Sequence, residues 1–343
     1  MKRFTTTTLA FMAMSLVVLT TLPAMAQQDA KPVAWDTFTR AETDKYLKSY
    51  VDLGGFGKFL HSRKPTPIDA QTVIRMQMDT LYSFGVFDLS SPLTITIPDT
   101  GDRFISMMVI NQDHYMPVPV AYKPGKHTLT QEKIGTRYVF VGFRTLANAN
   151  DPQDIKKANA IQDQIKVEQA SVGKFEAANW DEKSLDRLRD AINVLAATLT
   201  DASMCFGAKD EVDPIAHLLG TAFGWGGNPA KDATYLNITP QKNDGKTPHT
   251  LTVKDVPVDA FWSISLYNGK GFFQENEHNA YMVNSLTGVQ GADGSFTIHF
   301  GGDPKQPNYL AIMDGWNYIV RLYKPRQEIL DGSWAFSDAQ PVK

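Results

Sequence analysis

The chain has 343 residues, 43% of them hydrophobic and 21% charged, with a formal net charge of −3. That balance is ordinary for a globular protein of one large or two moderate domains and excludes a disordered or low-complexity chain. The negative balance argues against nucleic acid and anionic membrane surfaces as partners.

The first 26 residues read as a secretory leader. Lys2 and Arg3 precede the apolar stretch "LAFMAMSLVVLTTL", and "AMA" at 24–26 supplies a small-residue cleavage site. The apolar stretch is shorter than the roughly 20 residues of a membrane span. We therefore expect cleavage after Ala26, a periplasmic or secreted location, and no stable membrane span afterwards. Losing Lys2 and Arg3 makes the remaining chain more negative still. Cys205 is the single cysteine, so no internal disulfide forms, and a buried core position is expected for it.

Residues 36–60 open with a helical pattern, Tyr46, Leu47, Tyr50 and Val51, which "LGGFG" breaks. A first β module follows. "PLTITIP" alternates between prolines, "RFISMMVINQ" is apolar enough for a strand buried on both faces, and "VPVAYK" and "TRYVFVGFRTL" continue it. "DPQDIKKANAIQDQIKVEQ" reads as a helix capped by Asp151, with Pro152 at its first position. In the next helix Leu185, Leu188, Ile192, Leu195 and Leu199 recur at steps of three and four. Asp213 caps a third helix, "DPIAHLLGTAFG". A second β module then reads "TYLNITP", "HTLTVKD", "AFWSISLYN", "AYMVNSL", "GSFTIHFGG" and "WNYIVRLYK". In "FWSISLYN", Trp262, Ile264 and Leu266 face one way and Ser263, Ser265 and Tyr267 the other.

The expected fold is β-rich with a helical insert (α+β): two antiparallel β-sandwich or jelly-roll-like modules joined by helices. The expected division is a leader at 1–26, a helical start and first β module at 27–150, a helical connector at 151–224, and a second β module at 225–343.

The glycines of "LLGTAFGWGGNPAKDATYLN" invite a phosphate-loop reading. Such a loop needs a strand before it and a helix after it. Here the helix from Asp213 comes first, and its C-terminus presents carbonyls. The stretch therefore reads as a helix stop, with Trp225 and Asn228 as candidate cleft-lining residues. Nucleophile-elbow and zinc signatures are lacking, so neither a metal nor a cofactor is implied.

Weaker clusters supply the candidate chemistry. Asp113 and His114 leave a buried strand together, and Glu275 with His278 lies in "GFFQENEHNAYMVN"; either pair suits a carboxylate/His acid–base role or a solvated turn. Arg321, Tyr323, Trp316 and Asn317 form a polar set in the last long strand. An arginine inside an apolar strand must find a partner, either a structural carboxylate or an anionic or hydroxylated ligand. Asp79 and Tyr82, three residues apart, stand at the start of the first module as a cap or as site residues.

These stretches together carry a resemblance. "MDTLYSFGVFDLSSPLTITIPDTGDRFISMMVINQDHY" resembles the bacterial domain-of-unknown-function family numbered 1254, and "VPVDAFWSISLYNGKGFFQENEHNAYMVNSLTGV" with "WNYIVRLYKPRQEILDGSW" resembles the partner family numbered 1214. The resemblance implies exported proteins of two β-rich modules and brings no settled reaction. It marks Asp79, Tyr82, Trp262, Tyr267, Asn276, Tyr281, Trp316 and Arg321 as polar and aromatic positions of the family pattern. Two segments depart from that pattern: "RMQMD" has Met76 and Gln77 where Pro and Asn are usual, and "NYLAIMD" has Ala311 where Pro is common. A site built on either segment is put in doubt.

Two functions follow as expectations. One is a binding protein for a small polar or amphipathic molecule held between the β modules. The other is a hydrolase-type enzyme using one of the carboxylate/His pairs. A structural envelope protein is a third, and a homo-oligomer is compatible with all of them.

Overall fold

The computed structural model describes residues 30–71 and 74–342; the expected leader lies outside the described residues. In chain order the elements are α1 (Phe38–Asp52), β1 (Leu60–His61), β2 (Thr80–Asp88), β3 (Leu93–Ile97), β4 (Ile105–Asn111), β5 (Gly125–Leu129), α2 (Gln131–Ile134), β6 (Tyr138–Leu146), α3 (Pro152–Gln162) and β7 (Lys166–Gln169). They continue with α4 (Glu182–Ala196), α5 (Pro214–Gly224), β8 (Ala233–Ile238), β9 (His249–Val253), β10 (Trp262–Tyr267), β11 (Met282–Asn284), β12 (Phe296–Phe300), β13 (Tyr309–Leu310), β14 (Asn317–Tyr323), α6 (Gln327–Leu330) and β15 (Gln340–Pro341).

Alternation along the strands decides how these elements stack. In the first module the sheet β1-β2-β6-β4 packs on the sheet β5-β3-β7. Leu93, Ile95 and Ile97 meet Ile105, Met107, Val109, Val139, Val141 and Phe143 between them. In the second, β11-β10-β14-β8 packs on β13-β12-β9-β15 around Trp262, Ile264, Leu266, Leu251, Ile298, Phe300, Tyr318 and Val320. Pairing between these strands is antiparallel except for the short parallel contact of β12 with β13, and Phe56 adds an isolated parallel bridge to Val86 of β2. No sheet of the described residues closes into a barrel.

The outer face of the β2-β6-β4 sheet is divided. Phe84, Val86, Met108, Ile110, Tyr138 and Phe140 are covered by Leu47 and Tyr50 of α1 and by Trp225. Further along the same face, Phe104 and Leu146 pack on Phe261 and Tyr323 of the second module. The outer face of β10 and β14 is thus buried against the first module, and the polar side of "FWSISLYN" becomes an internal seam.

Asp151 caps α3 through Gln153 N–H, and Asp213 caps α5 through Ile215 and Ala216 N–H, as the Asp-Pro pairs predict. Three local readings need correction. "VPVAYK" is not a strand; only Ala121 bridges to Met107, because Pro117 and Pro119 lack the N–H that a ladder needs. The helix from Pro152 stops at Gln162, and "KVEQ" instead pairs with β3 as the edge strand β7, within the stretch expected as a helical connector. Leu195 is 60% exposed: ten residues beyond Leu185 it points about 80° away from the buried stripe of α4. Among the described residues no helix is long and apolar enough to cross a membrane.

Candidate functional site at the seam between the modules

Two arginines face the seam from opposite sheets. Arg321 lies on β14, where Ser263 and Tyr235 are its cross-strand neighbours. It is 4% exposed, and its guanidinium donates to Ser265 Oγ (2.9 Å), Tyr267 OH (2.8 Å) and the Arg75 carbonyl (2.8 Å). Tyr267 in turn donates to the Met76 carbonyl at 2.6 Å. From the first module Asp79, fully buried, accepts from Ser263 Oγ (2.6 Å) and Asn284 Nδ2 (3.1 Å). Burial pushes the Asp79 carboxyl up, against the pull of Ser263, Arg321 and Asn284. Burial works against the Arg321 charge too, but Tyr267, Tyr323 and Asp79 outweigh it and raise the guanidinium pKa. Arg321 and Asp79 are thus satisfied by protein groups, whereas Arg75, over the Tyr267 ring at 5.8 Å, keeps a buried Nη1 without a hydrogen-bond partner.

The departures from the family pattern fit here. Gln77 folds back on Thr80, its amide donating to the Thr80 carbonyl and hydroxyl and its oxygen accepting the Thr80 N–H. Ala311 donates its N–H to the Ala280 carbonyl at 3.3 Å, a bond proline lacks.

Arg144 occupies the other half. On β6 it lies opposite Tyr82 of β2 and Ser106 of β4, so the three form one row across the sheet. Its Nη1 donates to Asn228 Oδ1 (3.1 Å), Asn228 Nδ2 donates to Tyr235 OH (2.7 Å), and its guanidinium carbon stands 5.5 Å from the Tyr82 ring centre. Among the described residues no carboxylate pairs with Arg144, whereas Arg103, Arg137 and Arg189 pair with Asp154, Asp88 and Glu42. Burial opposes the Arg144 charge, and the neighbouring Tyr82, Tyr235 and Tyr323 more than offset it, raising its pKa. Phenols are neutral at pH 7, so these rings offer dipoles and faces rather than a counter-charge. Nearby, Tyr122 donates to Asp232 Oδ1 at 2.7 Å, while Asp232 Oδ2 is buried without a hydrogen-bond partner.

Tyr235 also lines a groove of about 680 Å³ whose walls include Ala196, Leu199, Phe223, Leu236 and Asn237. The groove runs between the end of α4, the end of α5 and the edge strand β8.

Of the residues singled out from sequence, Asp79, Tyr82, Asn228, Tyr267 and Arg321 meet at the seam. Tyr281 borders it, packed with Phe273 against Tyr267. Trp262 and Trp316 are core residues of the second sandwich. Trp225 lies flat on Tyr46 (ring centres 4.5 Å apart) and donates to Thr43 Oγ1. Asn276 organises an exposed turn by accepting the His278 and Ala280 N–H groups.

The two acid–base pairs come apart. Asp113 pairs with Arg40. His114 is fully buried, and its two ring nitrogens meet Thr221 Oγ1 (2.9 Å) and the Gly226 N–H (2.9 Å). Thr221 donates its own proton to the His217 carbonyl, so His114 carries its proton on Nδ1. Burial, helped by His217, holds the His114 pKa well below the usual value. Glu275, Glu277 and His278 are exposed, and His278 approaches its neighbour Glu277 at 3.5 Å, with its ring edge-on to Tyr309, rather than Glu275.

Sequence reasoning passed over Arg144, Tyr235, Ser263, Ser265, Asn284, Tyr122 and Asp232. The signal for Arg144 was present: it is a charged residue inside the apolar run "YVFVGFRTL", as Arg321 is inside "YIVRLY".

Two family profiles match, each described as a protein of unknown function: DUF1254 over residues 56–169 and DUF1214 over residues 233–327. The first spans β1 to β7, and the second begins with β8. No curated protein matches the chain. The crystal structure of the VPA0106 protein from Vibrio parahaemolyticus is similar in fold, with a TM-score of 0.70 at 18% identity over 90% of this chain and 98% of that one. An uncharacterised protein from Burkholderia cenocepacia matches with a TM-score of 0.50 at 13% identity over 90% of this chain and 88% of that one. The chain therefore carries a DUF1254 region at 56–169 ahead of a DUF1214 region at 233–327.

Proposed function

We propose that this is an exported protein that binds a small anionic ligand at the seam between its β modules. The observation that carries the reading is Arg144: a part-buried cation that donates to Asn228, sits against Tyr82 and has no carboxylate partner among the described residues. A guanidinium offers five donors in a planar fork suited to a carboxylate or phosphate. A binding site that needs the counter-charge from its ligand leaves the cation uncompensated when empty. Export rests on the basic, apolar and small-residue succession of the first 26 residues.

A thermal-shift screen tests the binding claim, since a ligand of the folded form raises its apparent stability. Short carboxylates or phosphate should stabilise the wild-type chain and leave Arg144→Met unchanged. Neutral sugars stabilising both forms equally would contradict it. Fractionation of expressing cells tests export: the mature chain should begin at Gln27 and leave the cytoplasm.

A further inference from the structure

The groove and the unpaired arginine share one side chain. The Tyr235 ring lines the groove, while its hydroxyl accepts from Asn228, which holds Arg144. Two hydrogen bonds, of 2.7 and 3.1 Å, thus connect the groove wall to the guanidinium. The walls mix two exposed aromatic rings, Phe223 at 47% and Tyr235 at 37%, with the exposed polar residues Thr200, Asp201 and Asn237. A volume of about 680 Å³ lies within the range of small-molecule sites. Asp201 also lines the groove and repels an anion placed beside it. Arg144 does not itself line the groove, so a negative head reaches it only past Tyr235 and Asn228, with the body left along Phe223, Leu236 and Leu199.

We infer that the ligand is an amphipathic monocarboxylate. Its carboxylate meets Arg144 and its hydrocarbon or aryl tail lies in the groove past Tyr235 and Phe223. This rests on the anion-binding reading above and adds the class of molecule. A carboxylate accepts from two guanidinium N–H groups at once, which fixes the head, and the tail covers the exposed aromatic faces.

Calorimetric titration of the mature chain with butyrate, hexanoate, decanoate and decanol tests it. Affinity should rise roughly two- to fourfold per methylene, the upper figure being full burial of each CH₂. Decanol should bind far more weakly than decanoate. Phe223→Ser, at an exposed position, should flatten the chain-length series. Equal affinity for all the acids, an unaltered series in Phe223→Ser, or decanol binding as tightly as decanoate overturns the tail placement and leaves the anion reading standing. Failure of every carboxylate to bind overturns the monocarboxylate assignment, and decanoate binding undiminished to Arg144→Met overturns the anion reading with it.

Discussion

The two seam arginines should respond oppositely to the same substitution. Arg321→Met removes three hydrogen bonds at once and leaves Ser265, Tyr267 and the Arg75 carbonyl without their donor. It also strips Asp79, fully buried, of the nearby positive charge that helps keep it ionised. Removing one partner of a buried charge pair costs about 3–5 kcal/mol. At about 2.1 cal/mol/K of unfolding entropy per residue, each kcal/mol lowers the Tm of a chain of this size by roughly 1.5 °C, so we expect a loss of roughly 4–8 °C. Arg144→Met gives up the bond to Asn228 and the cation–π contact with Tyr82 but also relieves the desolvation of a cation with no carboxylate partner among the described residues. Replacing a poorly compensated charge with an apolar side chain of similar length is neutral or stabilising by about 1–2 kcal/mol. Melts of both variants without ligand at pH 7.5, followed by tryptophan fluorescence and repeated in guanidinium, make the comparison. If Arg144→Met melts as early as Arg321→Met, Arg144 is a structural residue and the seam is not an anion site. If Arg321→Met melts with the wild type but no longer binds ligand, the site is centred on Arg321 instead.

Other outcomes follow from the same coordinates. His114 and His217 both have depressed pKa values, caused first by burial, so each binds fewer protons folded than unfolded. Their stabilising contribution is full above about pH 6.5 and is lost as the pH falls below it. The urea midpoint should therefore drop between pH 7.5 and 5.5, and a flat profile would contradict the burial of this pair. Gly173 has φ 71°, and a Cβ there would stand 2.3 Å from Asp88 Oδ2, so Gly173→Ala should cost at least about 2 kcal/mol in chemical denaturation. Asp88 cannot yield, because Arg137, Ser90 and the Lys174 N–H hold its carboxylate. Burial pushes the Cys205 thiol up to about 11, so a thiol reagent should label one cysteine in denaturant and none in the native protein at pH 8.

Period-two patterning made much of the seam legible. "FWSISLYN" separates an apolar from a polar face, and the polar face, Ser263, Ser265 and Tyr267, is the one that meets Arg321 and Asp79. The same alternation assigns Trp262 to the core face, so its place among the site candidates ran against the pattern of its own strand. Strand β2 was harder to see. Both of its faces are covered, so it lacks the half-polar signature, and Asp79 just before it read as a cap or turn residue. Which faces would oppose one another was not legible. Asp79 meets Ser263 across 184 residues and Asn284 across 205, and no local pattern encodes such distances. Arg144 was missed because its strand was read as uniform core, although a lone charge in such a run needs a partner as much as Arg321 does.

The glycine stretch that ends α5 acquires its role from this arrangement. Gly226 adopts φ 78°, which turns its N–H onto Nε2 of buried His114 at 2.9 Å. The other nitrogen of that ring is held by Thr221 on α5 itself, so helix, histidine and loop are locked together. Two residues further on, Asn228 bridges Arg144 and Tyr235. His114 thus acts as a positioning residue for the seam, with both nitrogens occupied and none free for proton transfer. His114→Gln, which keeps one donor and one acceptor but loses the ring stacked on Trp225 and His217, should let Asn228 drift. The expected result is weaker anion binding together with a smaller loss of stability between pH 7.5 and 5.5, since the most deeply buried of the depressed histidines is gone. Both should appear in one variant, because the same ring holds the loop and carries the titration. Anion affinity untouched while the pH profile changes would separate the two and show that Asn228 is aimed by something other than His114.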